Sequence, residues 1–69
     1  MRKTADNAAR RTLRLKAAAA YLSVSPGTIR SLIQAGELAI VKLVEHDHAP
    51  WLVDIRDLDS LVDRRKTTL

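Results

Sequence analysis

Two runs of helical periodicity stand three residues apart in "LKAAAAYLSVSPGTIRSLIQAGEL", residues 15–38, and no other feature limits the fold as strongly. Leu15, Ala18, Ala19 and Leu22 recur at i, i+3, i+4 and i+7, the spacing of one helical face. Alanine is the best helix former, and its small side chain lets a neighbouring helix approach closely. Ser23 and Val24 make the connection, with Val24 as an apolar plug between the helices. Ser25 and Pro26 then start a second helix. A serine hydroxyl caps orphan amides, and proline at the first helical position has no amide to leave unpaired. Ile29, Leu32 and Ile33 form its buried stripe, and Gly36 stops it because glycine enters the left-handed conformation cheaply. The second helix is expected from about Pro26 to Ala35. Helices joined so closely must cross tightly, which leaves the far face of the second one bare.

Downstream, Val41, Leu43 and either Ile40 or Val44 read as a strand. Trp51, Leu52 and Val53 read as its partner across the polar loop "EHDHAP". Asp54 caps a last helix whose apolar positions Ile55, Leu58, Leu61 and Val62 repeat at three and four and end near "RRK". Ahead of the first helix, "MRKTADNAARRT" has almost no large apolar residue and reads as a flexible arm. The expected organisation is a basic arm over 1–12, a folded body over 13–63 and a basic tail over 64–69. The body is mainly α with a small β-hairpin: helix, turn, helix, two-stranded wing, helix, a winged helix-turn-helix.

Sixty-nine residues allow one domain with a thin core, since so short a chain buries only about 60% of its unfolded surface. The chain has no cysteine, which excludes a disulfide framework and a thiolate metal site. No apolar run approaches the roughly 18 residues of a membrane span, and no signal-peptide core is visible, so a soluble cytoplasmic protein is expected. The net charge of +4 is unevenly placed. Residues 1–16 hold six bases (Arg2, Lys3, Arg10, Arg11, Arg14, Lys16) against one acid. Residues 17–63 are acidic, with Arg30, Lys42 and Arg56 against seven acids, and Arg64, Arg65 and Lys66 follow. An acidic body with basic extensions suits a polyanionic partner.

A helix pair with so short a turn is the helix-turn-helix unit, whose second helix enters the major groove of DNA. With Ile29, Leu32 and Ile33 inward, the outward face centres on Gly27, Ser31 and Gln34, flanked by Arg30 and Thr28. Arg30 can donate two hydrogen bonds to a guanine edge or pair with a phosphate, and Gln34 can read adenine. Ser31 suits a base or a phosphate. Ser25, Thr28 and the amides at the helix start suit phosphate oxygens. Gly27 costs the helix about 1 kcal/mol relative to alanine and removes bulk where a backbone would approach DNA. In the wing, Lys42, His46 and His48 are the candidate backbone contacts, the histidines becoming cationic near pH 6. His46, Asp47 and His48 are too few for a metal site, so neither metal nor cofactor is expected. Trp51, a lone tryptophan in a strand, is expected in the core, with stacking on a sugar or base as its alternative use. Tyr21 is expected to pack with its hydroxyl outward. No glycine-rich phosphate loop or nucleophile elbow is present, so no catalytic residue is assigned and no enzyme is expected.

"AAAYL", "VSPGTIRSLIQAGEL" and the return "WLVDIRDLDSL" together resemble the excisionase-type DNA-binding domains, relatives of the winged helix-turn-helix head of MerR-type regulators. The resemblance covers roughly residues 13 to 62. It implies that the second helix reads the major groove of double-stranded DNA and that the wing meets backbone or minor groove. It implies a bacterial or phage-derived, nucleoid-associated protein that acts as a recombination directionality factor beside an integrase, with cooperative self-association on DNA and without a small-molecule ligand. Small transcriptional regulators and the DNA-binding heads of phage packaging proteins share the pattern. A protein-interaction module with degenerate DNA binding is the alternative of another class. Three departures stand out. Ser23 replaces the turn glycine, at about 1–2 kcal/mol if left-handed. Gly27 and Ser31 occupy positions that are often basic. The wing loop is acidic, so the arm and tail are expected to supply the phosphate contacts that dominate affinity.

Overall fold

The apolar spacings produce three helices and one small sheet in the computed structural model, which describes residues 10–68. In chain order these are β1 (Thr12–Arg14), α1 (Leu15–Leu22), α2 (Pro26–Gln34), β2 (Leu52–Asp54) and α3 (Ile55–Arg64). The two strands pair antiparallel, Thr12 opposite Asp54, Leu13 opposite Val53 and Arg14 opposite Leu52. The architecture is a winged helix-turn-helix. Ala18, Ala19, Ile29, Leu38, Val53, Leu58 and Leu61 form the core, with Leu13, Leu15, Leu22, Leu32 and Ile33 packed around it. Ala18 and Ala19 are fully buried, and their small size lets the equally buried Ile29 of α2 lie against α1.

Both helices of the unit close in the same way, with different residues at the critical position. After α1, Ser23 takes φ 61°, ψ 43°. Its N–H donates to the Ala20 carbonyl at 3.2 Å, and the Val24 N–H donates to the Ala19 carbonyl at 2.9 Å. After α2, Gly36 has φ 80°. Its N–H donates to the Ile33 carbonyl at 3.0 Å, and that of Glu37 to the Leu32 carbonyl at 2.8 Å. The pair of bonds from the left-handed residue and its successor is the Schellman closure. At the start of α2, Ser25 Oγ accepts the Thr28 N–H at 3.2 Å, with Pro26 at the first helical position. At the start of α3, Asp54 Oδ1 accepts the Arg56 N–H at 2.9 Å. Both caps stand where the sequence puts them.

The wing departs from expectation. Only Val41 and Leu52 pair, exchanging hydrogen bonds of 2.7 and 3.1 Å. Continuing that register would set Leu43 against Pro50, which has no amide to give a ladder. Leu43 is accordingly 72% exposed. The partner that β2 does use is β1, from residues that read as the end of the arm and the start of the body. Contacts begin at Arg11, whose carbonyl accepts the Ile55 N–H at 2.8 Å. Three side chains expected inside remain partly outside: Val24, Trp51 and Val62. Val24 and Val62 line an open groove with Leu22, Thr28, Leu32, Leu61 and Arg65. Trp51 precedes the paired part of β2 and lies beyond the edge of the core.

Candidate nucleic-acid interface

Burial of Ile29 fixes the rotation of α2. With Ile29 fully inside and Leu32 and Ile33 half-buried, Ser25, Gly27, Thr28, Arg30, Ser31 and Gln34 are all exposed. Gly27, Arg30, Ser31 and Gln34 therefore share the outward side of a helix fixed at both ends, with Ser25 at its cap and Thr28 on the flank that borders the groove. Ser25 and Thr28 are also joined to each other, hydroxyl to hydroxyl at 3.0 Å. That leaves Ser25 engaged in capping, and Thr28 oriented at the helix start. Gly27 is not required by the protein's own packing: a Cβ there would meet only Ser25 Oγ, at an ordinary 3.8 Å.

Arg30 has a neighbour that periodicity alone does not reveal. Its guanidinium carbon lies 5.7 Å from the centroid of the Trp51 ring, within the range of a cation–π contact. Trp51 is 38% exposed, so the expectation of a core tryptophan is corrected. Alternation along the strand points residue 51 to the same side as the buried Val53, where Ile29 and α2 lie. Strand pairing stops at Leu52, so the indole overhangs the core edge and meets the residue after Ile29. The sequence signal was present in the offsets: an aromatic two before a core strand residue, a cation one after a core helix residue.

In the wing, Lys42, His46 and His48 are exposed. His46 Nδ1 accepts the His48 N–H at 3.1 Å, closing a turn in which the Ala49 N–H also donates to the His46 carbonyl at 3.1 Å. Among the described residues no group of three or more His, Cys, Asp or Glu is placed to hold a metal. None of their helices is long and apolar enough to cross a membrane.

The basic ends are less free than their composition suggests. Arg2 and Lys3 lie outside the described residues. Arg11 donates through two nitrogens to Asp54 Oδ2, at 3.2 and 3.1 Å. Asp54 thus caps α3 with one oxygen and holds the segment before β1 with the other. Its carboxyl sits below the ordinary carboxylate range, first because the Arg56 amide donates to it, then because Arg11 does. At the other end Arg65 pairs with Glu37 at 3.0 Å, Arg64 lies 3.9 Å from the same carboxylate, and Lys66 pairs with Asp63 at 3.3 Å. Among the described residues Arg10, Arg14, Lys16 and Lys42 make no ion pair, so the cations open to a polyanion lie mostly near β1, α1 and the wing. Tyr21 does turn its hydroxyl outward, but donates it to Asp59 Oδ1 at 2.7 Å. That bond holds the phenol protonated and raises its pKa.

No curated protein and no solved structure matches the chain. A family model described as a helix-turn-helix domain matches residues 12–66, from the first residue of β1 to just past α3. With a match over most of its length and the two-helix unit in place, the chain belongs to the helix-turn-helix domain family.

Proposed function

We propose that this chain binds double-stranded DNA sequence-specifically, with α2 in the major groove and the wing and basic residues along the backbone. The observation that carries the reading is the exposed side of α2. It presents Arg30, Ser31, Gln34 and an unobstructed Gly27 on a helix held by Ser25 at one end and the Gly36 closure at the other. Those side chains can donate to and accept from base edges, and family membership supports DNA as the partner. The pattern shared with excisionase-type domains favours an architectural protein that biases recombination, several copies bending DNA beside a recombinase. A transcriptional regulator and a packaging head use the same surface. Footprinting separates them: tandem direct repeats next to an attachment site support the first, and one promoter site the second.

An acidic wing and three tail cations engaged with Glu37 and Asp63 favour a second reading, an interaction module without DNA. Binding to duplex DNA across a salt series decides between them. DNA binding gives affinity that falls steeply with salt, with a log–log slope near −0.9 per phosphate contact. Absence of binding at low salt removes the first reading. A slope unaffected by deletion of residues 1–9 combined with Arg10→Ala, which leaves Arg11 and β1 in place, removes the role assigned to Arg2, Lys3 and Arg10.

A further inference from the structure

Arg30 is the only cation on α2, and a lone arginine on a helix surface samples many rotamers. Here an indole stands beside it. Trp51 leaves more than a third of its surface in solvent, so its position yields less burial than a core site would. The residues that follow it are held: Leu52 exchanges two hydrogen bonds with Val41, and Val53 is fully buried. Arg30 is equally well based, one residue after the buried Ile29. α2 and the residue just ahead of β2, 21 residues apart in sequence, therefore bring a cation and an aromatic face together at the edge of the outward side of α2.

We propose that Arg30 and Trp51 act as one specificity element, in which the indole is a positioning residue that restricts the guanidinium to directions facing a base edge. The inference rests on the DNA-binding reading of α2. A cation–π contact engages the charge of the guanidinium, and its planar fork of N–H donors stays available for two parallel hydrogen bonds. A guanine edge needs that fork in one orientation, whereas a phosphate accepts from many. Holding Arg30 against Trp51 therefore favours base readout over backbone contact. It also ties the return of the wing to α2.

The test starts from a preferred duplex selected from a randomised pool, compared with a scrambled duplex of equal length at the same salt. The measured quantity is the ratio of the two dissociation constants for the wild type, Trp51→Leu, Trp51→Phe, Arg30→Ala and the double variant Arg30→Ala/Trp51→Leu. Trp51→Leu is expected to lower the preference by about two- to fivefold, the worth of an exposed cation–π contact, while Trp51→Phe keeps most of it. In the Arg30→Ala background Trp51→Leu is expected to change the preference no further. Trp51 is the only tryptophan, so Arg30→Ala should also alter the emission of the free protein, a readout independent of DNA. An unchanged preference in Trp51→Leu overturns the proposal. So does an equal loss in the Arg30→Ala background, which would make the indole a direct contact or a general support. Wild type that binds no duplex at low salt defeats the DNA reading itself, whereas binding with an unchanged ratio defeats only the Arg30–Trp51 coupling.

Discussion

Ser23→Gly should stabilise this protein, and the size of the effect follows from its turn. Ser23 stands at φ 61°, ψ 43°, close to the ideal left-handed helical conformation. A residue with a Cβ meets its following carbonyl there, at about 1–2 kcal/mol. Among the described residues the Ser23 hydroxyl makes no hydrogen bond, and the side chain is exposed, so its removal forfeits neither a bond nor burial. Against the relief stands the wider freedom of glycine in the unfolded chain, about 0.5–1 kcal/mol. The net effect lies between about 0 and 1.5 kcal/mol, and its midpoint of about 0.75 kcal/mol raises Tm by about 3–6 °C for a domain of this size. Thermal and urea melts of wild type, Ser23→Gly and Ser23→Ala measure it. Ser23→Ala keeps the Cβ and should fall within about 0.5 kcal/mol of wild type. Gly36→Ala places a Cβ at φ 80° with open space around it, so it isolates the same backbone strain with the opposite sign. A Ser23→Gly protein no more stable than wild type, or a neutral Gly36→Ala, would refute the assignment of left-handed strain to these two closures.

Gly27→Ala should separate folding from binding: it stabilises α2 by about 0.5–1 kcal/mol yet weakens DNA affinity, as melts and titrations would show. An affinity equal to wild type would remove the close backbone approach proposed at that position. Asp54 contributes a pH-dependent stability, because its folded pKa is lowered. That contribution is complete above about pH 4 and disappears as pH falls through the lowered value. Acid titration of Asp54→Asn should therefore show a shallower loss of stability below that pH than wild type, and parallel curves would contradict the pairing with Arg11 and the Arg56 amide. Glu37→Gln should release Arg65, while Arg64 keeps its 3.5 Å bond to the residue 37 carbonyl, steepening the salt dependence of binding to random duplex at a stability change under about 1 kcal/mol. An unaltered slope would mean that the tail cations do not meet phosphate.

The helices were legible because each carries its own punctuation. Ser25-Pro26 and Asp54 start two of them, Gly36 stops one, and the buried spacings at Leu15–Leu22, Pro26–Gln34 and Ile55–Arg64 fall in register with the core. Ser23 was legible from the family pattern and from the shortness of the turn. The wing was not, because strand pairing is a relation between distant segments. Val41 and Leu43 alternate acceptably on their own, and only the register shows Leu43 facing a proline. β1 was hidden for the same reason: Thr12–Arg14 is three residues long and acquires meaning only opposite Leu52–Asp54. Exposure of Gly27, Thr28, Arg30, Ser31 and Gln34 followed from period alone. The Arg30–Trp51 contact and the pairing of Arg11, Arg64, Arg65 and Lys66 with acids did not, since charge counts say how many cations exist and nothing of which acid reaches them.

Whether the outward side of α2 reads sequence is decided by Arg30→Ala. Dissociation constants for a preferred and a scrambled duplex, measured at one salt concentration, give the loss on each. Readout by Arg30 gives a loss of about 1–3 kcal/mol on the preferred duplex and a smaller one on the scrambled duplex. Equal losses on both would make Arg30 a phosphate contact and contradict the assignment of readout to α2.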